Sequence, residues 1–512
     1  MLDKILDKIN DVLRAISEAW HDFAPDWLEQ FTPVLLLLIV VIFVFYRLPT
    51  VEVGHDKGFK RRRVLNWLPL GLTYAFLYMG RYNLKVSKFA FENLDAGDGG
   101  AMMGNDAFGI IFGVGTVVYG FSFLINGPLT DKLGGRFSIL MGAAGAAVAN
   151  ALMGLASLSL LNQGPLSGFL SSNFVVVFSV LYAVNMYFQS FGAVAIVKVN
   201  SSWFHVRERG VFGAIFGILI SLGIYFAFDV GYMILEGMGL AWVFLMPAIL
   251  LTVFWVIDWF VVHNKPSEAG QEDFDTADAS SGDEGPQLGA VKVFKMMMTN
   301  PIIVTIALIE FCSGFLRQAI MQWFRTFAKQ TDTLLGLKSS FVYENWGLML
   351  CIAGILGGVF AGTISDHLFQ SRRGPVAALL YGLMLVGSVA LVFTYEQSYV
   401  GWLVLIMSMA VIGVHGMLSG TASMDFGGSK NTGIAVGIID GFVYLGTAVM
   451  SFTYAVVLPK EQLDAAGQIV GPATDPANWK AWPIAMVPLA ALGLILATRV
   501  WNAKPKGKSA AH

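Results

Sequence analysis

The stretch Gly127–Arg136 reads GPLTDKLGGR, and a looser copy of it begins at Gly362. In both copies an aspartate stands four residues after the first glycine, since Asp131 follows Gly127 as Asp366 follows Gly362. The two copies are offset by 235 residues, and each lies between two apolar segments. A single short match would carry little weight, but two copies in equivalent loops indicate an internal repeat of the chain.

Apolar segments of membrane-spanning length flank both copies of this stretch. They lie near residues 65–92, 107–130, 137–160, 173–200, 210–234, 240–262, 300–328, 345–365, 375–395, 401–424, 433–457 and 481–500. The chain is 56% hydrophobic and only 13% charged, about half the charge content of a soluble domain. We therefore predict an all-α, multi-pass membrane protein with 12 core transmembrane helices in two six-helix repeats.

The polar and apolar stretches also predict domain boundaries. We expect an amphipathic helix at 1–30, an extra transmembrane helix at 31–48, a basic cytoplasmic linker at 49–64, a first six-helix bundle at 65–262, a cytoplasmic linker at 263–299, a second bundle at 300–500 and a cytoplasmic tail at 501–512. No cleavable signal peptide is expected, because the charged first thirty residues precede the apolar run.

Basic residues orient the chain, because they concentrate in alternate loops, such as the loops with Lys132 and Arg136 or with Arg372 and Arg373. The positive-inside rule places such loops in the cytoplasm. Both ends of the two-repeat core are then cytoplasmic, and residues 1–30 lie outside. We expect the cell inner (plasma) membrane as the location.

The composition also excludes several classes of protein. A net charge of −2 gives no sign of nucleic-acid binding. Cys312 and Cys351, the two cysteines of the chain, both fall in predicted spans, so no disulfide framework or metal site is implied. No nucleophile–base arrangement or cluster of metal ligands is apparent, so we expect neither an enzyme nor a cofactor.

Two arginines lie inside apolar segments, Arg81 in the first core segment and Arg317 in the seventh. A cation at such a depth costs roughly 2.5–3.5 kcal/mol on insertion scales, and it usually marks a functional site. Both arginines lie about sixteen residues from the predicted cytoplasmic ends, which at about 1.5 Å per residue is slightly past the middle of the bilayer. Two cations at one depth predict a shared anionic ligand.

The residues around Arg81 extend this candidate site. Tyr74, Tyr78, Arg81, Lys85 and Lys88 follow one another at helical spacing and therefore share one helix face. Their order would place tyrosine hydroxyls near mid-membrane and ammonium groups towards the outer mouth. Lys85 and Lys88 would either steer anions inward or extend to the interface as ordinary snorkelling lysines.

Arg317 has titratable and polar neighbours of its own. Glu310 precedes it by seven residues on the same helix face, and Gln318 follows it directly. Glu310 would act either as a counter-ion of Arg317 or as a proton carrier, since burial raises and a nearby arginine lowers the pKa of a carboxyl group. Asp440 and His415 are further intramembrane titratable groups, and we favour helix–helix hydrogen bonding for the histidine.

The Gly-x-x-x-Asp-x-x-Gly-x-Arg pattern of the opening stretch resembles the helix 2–3 signature of the major facilitator superfamily. In the second copy Phe369 replaces the second glycine. The resemblance implies a switch between two rocking states for the residues of these loops. We assign this conformational role to Gly127, Asp131, Arg136, Gly362, Asp366, Arg372 and Asp425.

Further motifs make residues 65–500 similar to the organophosphate:phosphate antiporter family. They are Tyr74 and Tyr78 before Arg81, the run Tyr119-Gly120-Phe121-Ser122, the pair Phe188-Gln189, Arg317 followed by Trp323, and the run Gly441-Phe442-Val443-Tyr444-Leu445-Gly446. The resemblance implies that Arg81 and Arg317 bind phosphate and that Tyr119, Gln189 and Tyr444 belong to the same site.

The chain departs from that family at several polar positions of the site. Phe123 replaces a lysine, Ile220 a histidine, Gly314 a tyrosine, Cys351 a glutamate and Gly413 a tyrosine. The arginine pair is thus retained while its polar surroundings differ, which leaves the particular substrate open.

These observations support three hypotheses about function. The first is a transporter that exchanges a small organic phosphate for inorganic phosphate by alternating access around an Arg81–Arg317 clamp. The second is a proton-coupled symporter of an organic anion such as a sugar acid, with Glu310 and Asp440 carrying protons. The third is a membrane sensor of sugar phosphate that signals to a protein partner, for which residues 1–48 are the candidate docking segment.

Overall fold

The computed structural model describes residues 54–96, 99–205, 208–276, 290–369 and 373–502. We number its long helices in chain order as α1 Lys57–Phe91, α2 Asn105–Leu133, α3 Gly135–Leu161, α4 Phe174–Ser201, α5 Arg209–Tyr225, α6 Leu240–Val261, α7 Pro301–Gln330, α8 Trp346–Phe369, α9 Arg373–Thr394, α10 Val400–His415, α11 Ser423–Val457 and α12 Met486–Arg499. The predicted amphipathic helix at 1–30 and the extra helix at 31–48 lie outside the described residues.

Shorter elements connect the long helices. A π-helical turn at Phe226–Val230 continues α5 into a helix at Gly231–Met238, and a second π-helical turn at Gly416–Ala422 follows α10. Strands β1 (Gln462–Leu463) and β2 (Ile469–Val470) pair antiparallel in the segment after α11. Short helical segments lie at Ser167–Ser172, Ser267–Ala269, Ala290–Met298, Asp332–Leu335, Leu337–Ser339, Phe341–Glu344, Gly471–Thr474, Pro476–Trp479 and Ala481–Ile484.

The helix lengths suit a bilayer. Among the described residues, ten helices are long and apolar enough to cross a membrane, and Trp346–Ala361 is a shorter apolar stretch. The first helix, which carries Arg81, Lys85 and Lys88, is not among the ten. The described chain is therefore that of a multi-pass membrane protein.

Helix α1 begins at Lys57, which lies inside the range assigned to the basic linker at 49–64. The cause is local, because the carboxylate of Asp56 accepts the N–H of Phe59 at 2.7 Å and caps the helix there. The apolar pattern marks only where α1 becomes hydrophobic, so the boundary at residue 65 misses the first two turns. In the same way, the linker assigned to 263–299 contains the helix Ala290–Met298.

The packing repeats at an interval of six helices. In the first half α1 packs on α4, α5 and α6, α2 packs on α4, and α3 packs on α4 and α6. In the second half α7 packs on α10, α11 and α12, α8 packs on α10, and α9 packs on α10 and α12. Each pair of the first half therefore has an equivalent in the second, which agrees with the repeat offset of 235 residues.

The two halves meet mainly through α2 against α11 and α5 against α8, which are also equivalent pairs. Gly120 and Gly441 let α2 and α11 approach closely, since a Cβ built on either one would lie 3.0 Å from the carbonyl oxygen of the other. We call the end of the bundle at which α1 and α7 terminate the distal end and the opposite end the proximal end. Arg81 and Arg317 lie between these ends.

Candidate functional site

Arg81 lies fully buried on α1, and side chains from both halves surround it. Its Nε donates to Gln189 Oε1 on α4 at 2.9 Å, and its Nη1 donates to the hydroxyl of Tyr444 on α11 at 2.6 Å. The guanidinium carbon lies 4.5 Å from the ring centre of Tyr78 and 4.6 Å from that of Tyr119. Aromatic faces and neutral oxygens thus hold this cation at the interface between the halves.

Tyr74 and Tyr78 lie one turn apart on α1, as their spacing predicts. Their ring centres are 5.2 Å apart in an edge-to-face arrangement, and both side chains are buried. Tyr119 meets Tyr444 in the same way, with ring centres 4.1 Å apart and planes at 90°. The tyrosines of three helices therefore form one aromatic lining around Arg81.

A chain of buried amides supports Arg81 from behind, and the sequence motifs did not indicate it. Gln189 Nε2 donates to Asn185 Oδ1 at 3.0 Å, and Asn185 Nδ2 donates to the Gly80 carbonyl at 2.9 Å. Asn150 Nδ2 also donates to Asn185 Oδ1, and Asn83 Nδ2 donates to Asn150 Oδ1. The available signal was the presence of asparagines inside apolar spans, where an unsatisfied amide is costly.

Arg317 on α7 is buried and faces the same group of phenols. Tyr78, Tyr82 and Tyr444 interact electrostatically with both Arg81 and Arg317. Tyr82, which also was not indicated by the sequence, accepts a hydrogen bond of 2.8 Å from Gln318 Nε2. The structure thus brings Arg81, Arg317 and their predicted neighbours together around one point between the halves.

Several buried donors at this point have no protein partner within the described part of the chain. They are Nη2 of Arg81, Nε and Nη2 of Arg317 and the hydroxyl of Tyr119. A buried guanidinium normally has its N–H groups paired, because each unpaired polar group costs free energy. Unpaired donors on two arginines that share the same tyrosine neighbours fit a doubly charged oxyanion such as phosphate.

Glu310 contacts His415, so the idea of a direct Glu310–Arg317 ion pair is not supported. Oε2 of this fully buried carboxyl lies 2.8 Å from His415 Nδ1, which joins α7 to α10. Oε1 of Glu310 has no partner among the described residues. Asp440, the next acidic group on α11, accepts a hydrogen bond from the Ser419 hydroxyl. These carboxyls form a separate acidic cluster within electrostatic range of Arg317.

Lys85 lies one turn beyond Arg81 towards the distal end and is 1% exposed. Its ammonium donates to the Thr326 hydroxyl on α7 across the interface between the halves. The ring centres of Phe108 and Trp323 lie 4.7 Å and 5.2 Å from Nζ. Lys85 does not reach a lipid interface, so the snorkelling interpretation does not apply to it.

The distal polar network closes the bundle beyond Lys85, and it comprises Lys88, Glu92, Asn105, Lys329, Gln330 and Glu461. Glu92 from the first half binds Lys329 of the second at 2.6 Å. Glu461 from the second half binds Lys88 at 2.9 Å and the Asn105 N–H at 2.7 Å in the first. Each half thus supplies one carboxylate to cations or donors of the other. Lys88 is part of this buried network and is not a surface lysine.

The carboxylate of Glu92 in the distal polar network remains charged at neutral pH. Burial alone would raise the pKa of Glu92, which directly follows the last residue of α1. The ammonium groups of Lys88 and Lys329 outweigh burial and lower that pKa to about 2. Mild acidification therefore does not release this carboxylate from the network.

A second contact joins the halves near the distal end. The carboxylate of Asp229, in the π-helical turn after α5, accepts the N–H groups of Gly347 and Leu348 at 2.7 Å each. It therefore caps the N-terminus of α8 from the opposite half, where the helix dipole favours an anion. On the same side Arg325 of α7 lies 3.5 Å from the ring centre of Tyr232.

The residues of the first repeated stretch lie at the proximal end. Gly127 is buried in α2, and Asp131 forms an ion pair of 2.7 Å with Lys198 of α4. The N–H of Arg136 donates to Asn264 Oδ1 at 2.9 Å, and its guanidinium donates to the Trp259 carbonyl. Lys198 carried no sequence signal of this role.

The second repeated stretch is only partly described. Gly362 and Asp366 lie within α8 and Asp425 within α11, but their side chains are outside the described part of the structure, as is Arg372 altogether. The conformational roles of these residues remain predictions.

One departure from the resembled family has a steric explanation. A Cβ on Gly314 of α7 would collide with the Val443 carbonyl oxygen of α11, and one on Gly446 would collide with the Phe311 carbonyl. The two backbones cross so closely that no tyrosine fits at position 314. The other helix of this crossing carries Tyr444, which binds Arg81.

Comparisons with known proteins agree with this architecture. The family model described as Major Facilitator Superfamily matches residues 70–451. The protein therefore belongs to the major facilitator superfamily. A crystal structure of the nucleoside transporter NupG shares the fold with a TM-score of 0.55 at 12% identity, over 86% of this chain and 98% of that one.

Three individual proteins are similar to the chain over most of its length. The chain is 24% identical over 485 residues to "Glycerol-3-phosphate transporter" of Bacillus subtilis (strain 168), covering 89% of this chain and 96% of the relative. It is 23% identical to "Probable hexose phosphate transport protein" of Chlamydia pneumoniae, with 88% and 93% covered. It is also 24% identical to "Membrane sensor protein UhpC" of Salmonella typhimurium, with 80% and 87% covered.

These findings confirm the predicted fold class and the resemblance to the organophosphate:phosphate antiporter family. They also confirm that the protein belongs to a family of transporters and not of enzymes. The relatives include carriers of phosphate esters and one sensor, so they agree with organophosphate transport in general and leave the finer function open.

Proposed function

We propose that this protein exchanges a small organic phosphate, a sugar phosphate or glycerol phosphate, for inorganic phosphate across the cell inner membrane. The observation that supports it most is the set of unpaired, buried donors on Arg81 and Arg317. Arginine forks match phosphate oxygens in a bidentate manner, so one phosphoryl group would satisfy both cations. Inorganic phosphate and a phosphate ester both carry that group, and this shared recognition is the basis of exchange.

Alternating access would follow from the location of the clamp between the halves. Arg81 belongs to the first half and Arg317 to the second, so a bound anion reduces their mutual repulsion and favours closure around it. The distal polar network joins the halves on one side of the site. The positive-inside rule assigns this distal end to the outer face and both core termini to the cytoplasm.

The first experiment measures phosphate binding to the purified protein and uptake of labelled glycerol 3-phosphate into phosphate-loaded proteoliposomes. We expect Arg81→Ala and Arg317→Ala each to weaken phosphate binding more than tenfold and to abolish uptake. Arg81→Lys keeps the charge but loses the fork, and we expect it to bind more weakly than wild type. Arg325→Gln removes an α7 arginine that contacts Tyr232, and it serves as the matched control with retained binding.

Two outcomes would contradict the proposal. If both alanine variants bind phosphate as tightly as wild type, Arg81 and Arg317 do not form the phosphate site. Uptake that does not depend on internal phosphate but is driven by a pH gradient would instead support a proton-coupled symporter of an organic anion. The buried contact between Glu310 and His415 is the observation that favours this second candidate, since a carboxyl–imidazole pair is a common element of proton-transfer pathways.

A third candidate, a sugar-phosphate sensor, is favoured by the relative named as a membrane sensor protein. A sensor would bind the phosphate ester without moving it and would signal to a protein partner, with residues 1–48 as the candidate docking segment. Retained binding together with absent uptake in the same vesicles would favour this candidate over the transporter.

A further inference from the structure

Lys85 is a buried lysine whose amino group has no acidic partner among the described residues. Within the described residues, no carboxylate lies at ion-pair distance from its ammonium, which bonds to the Thr326 hydroxyl. The nearest acidic groups that act on it, Glu92 and Glu461, are each bonded to another ammonium. Burying an ammonium is costly unless an opposite charge accompanies it.

The charged groups on either side of Lys85 leave it without a counter-ion. In the distal polar network the two carboxylates of Glu92 and Glu461 match the two ammonium groups of Lys88 and Lys329. That network is therefore neutral without Lys85. On the other side of Lys85 the next charged groups are Arg81 and Arg317, which are cations as well. Three basic side chains, Lys85, Arg81 and Arg317, thus lie between the network and the acidic cluster at Glu310.

Trp323 supplies a second, independent observation at the same place. Its ring centre lies 5.2 Å from Lys85 Nζ, it is fully buried, and its indole Nε1 has no hydrogen-bond partner among the described residues. A buried indole N–H usually finds an acceptor. One ammonium and one indole N–H beside each other form a donor pair suited to a carboxylate or to a further phosphoryl oxygen.

We propose that Lys85 and Trp323 form a second anion subsite, so that the substrate is a phosphate ester with another acid group, such as a phosphorylated hydroxy acid. This inference rests on the proposed function, because the Arg81–Arg317 clamp holds the phosphoryl group. One helical turn, about 6 Å along α1, separates Arg81 from Lys85, a separation that a three-carbon backbone bridges. A phosphate dianion and a carboxylate together would balance the two arginines and a protonated Lys85.

A matched pair of ligands tests the subsite, because 3-phosphoglycerate and glycerol 3-phosphate differ only in a carboxylate replacing a hydroxymethyl group. In competition against labelled phosphate, we expect wild type to prefer 3-phosphoglycerate at least tenfold. Lys85→Gln should remove this preference while affinities for phosphate and glycerol 3-phosphate stay within about threefold. Trp323→Phe should reduce the preference, and Lys85→Met provides a variant whose shape suits the aromatic surroundings if Lys85→Gln does not fold.

Lys88→Gln is the control, since it removes an equal charge three residues further along α1 from a position with two carboxylate partners. We expect it to keep the preference. If Lys85→Gln and Lys88→Gln lose the preference for 3-phosphoglycerate equally, the preference reflects the overall positive charge and not a subsite. A wild type that binds both esters with equal affinity would also overturn the subsite. A wild type that binds neither phosphate nor either ester would instead overturn the proposed function itself.

Discussion

Among single residues, the tyrosines around Arg81 have two different roles, one in stability and one in ligand binding. Tyr444 accepts a hydrogen bond of 2.6 Å from Arg81, whereas the Tyr119 hydroxyl has no partner among the described residues. We expect Tyr444→Phe to destabilise the protein by about 1.5–3 kcal/mol, the usual value of a hydrogen bond to a charged group. We expect Tyr119→Phe to leave thermal unfolding unchanged and to weaken phosphate binding several-fold.

The measurements are thermal unfolding in detergent and phosphate binding on the same samples. Each variant controls the other, because both lose one phenolic hydroxyl next to the same guanidinium. A Tyr119→Phe protein that unfolds earlier but binds phosphate normally would show that this hydroxyl has a structural partner and does not face the ligand.

The sequence identified the buried arginines but only some of the side chains around them. Arg81 was conspicuous because a cation inside an apolar segment is rare, and the family resemblance supplied Gln189 and Tyr444. Asn185 and Tyr82 were missed, since their contacts with Gly80 and Gln318 join residues that are distant in sequence and on different helices. Likewise, helical spacing placed Glu310 on the same face as Arg317, but only packing determines that its carboxyl reaches His415 on α10.

At the scale of structural elements, Asp229 caps α8 from the opposite half. Asp229→Ala removes the acceptor of two backbone N–H groups at 2.7 Å, and loss of such a cap costs about 0.5–2 kcal/mol. We expect a lower unfolding temperature and a shift of the equilibrium towards opening at the distal end. Asp229→Asn should have a smaller effect, because its amide oxygen still accepts one hydrogen bond.

This opening can be measured with a Met103→Cys variant. Met103 is fully buried just before α2 begins at the distal end, so its cysteine should react with thiol reagents only when that end opens. Asp475→Ala is the matched control, because Asp475 caps the helical segment Pro476–Trp479 within one half. It should lower stability without raising the reactivity at position 103. Equal protection of this cysteine in wild type and Asp229→Ala would contradict a role of the cap in holding the halves together.

Element positions followed from hydrophobic runs, whereas element ends followed from capping. The run near 65–92 located α1, but its start at Lys57 depends on the carboxylate of Asp56. The π-helical turn that presents Asp229 interrupts a run that reads as one uniform apolar helix. Such a turn has no composition of its own, so its contact with α8 was not predictable from the pattern.

At the scale of the whole molecule, the repeat was readable because duplicated motifs keep their offset in sequence. The relative position of the halves was not readable, because the contacts between them join residues that are far apart in sequence. Lys85 with Thr326, Glu92 with Lys329 and Glu461 with Lys88 all pair residues more than 200 positions apart. Alternating access requires these contacts to break together when the distal end opens.

An exposed contact between the halves allows this requirement to be tested. Lys460 follows α11 and forms an ion pair of 2.8 Å with Asp106 at the start of α2, and its side chain is 68% exposed. We expect a short bifunctional thiol reagent to join cysteines at these two positions and to hold the distal end closed. Cys312 and Cys351 are fully buried and should not react.

After cross-linking, the rate of exchange of phosphate for glycerol 3-phosphate should fall below a tenth of the rate before cross-linking. If the reagent contains a cleavable disulfide, reduction should restore the exchange. The single variants Asp106→Cys and Lys460→Cys, treated in the same way, should keep their exchange, because neither is joined to the other half. If the joined protein still exchanges phosphate at the rate of the single variants, the halves do not separate at the distal end during transport.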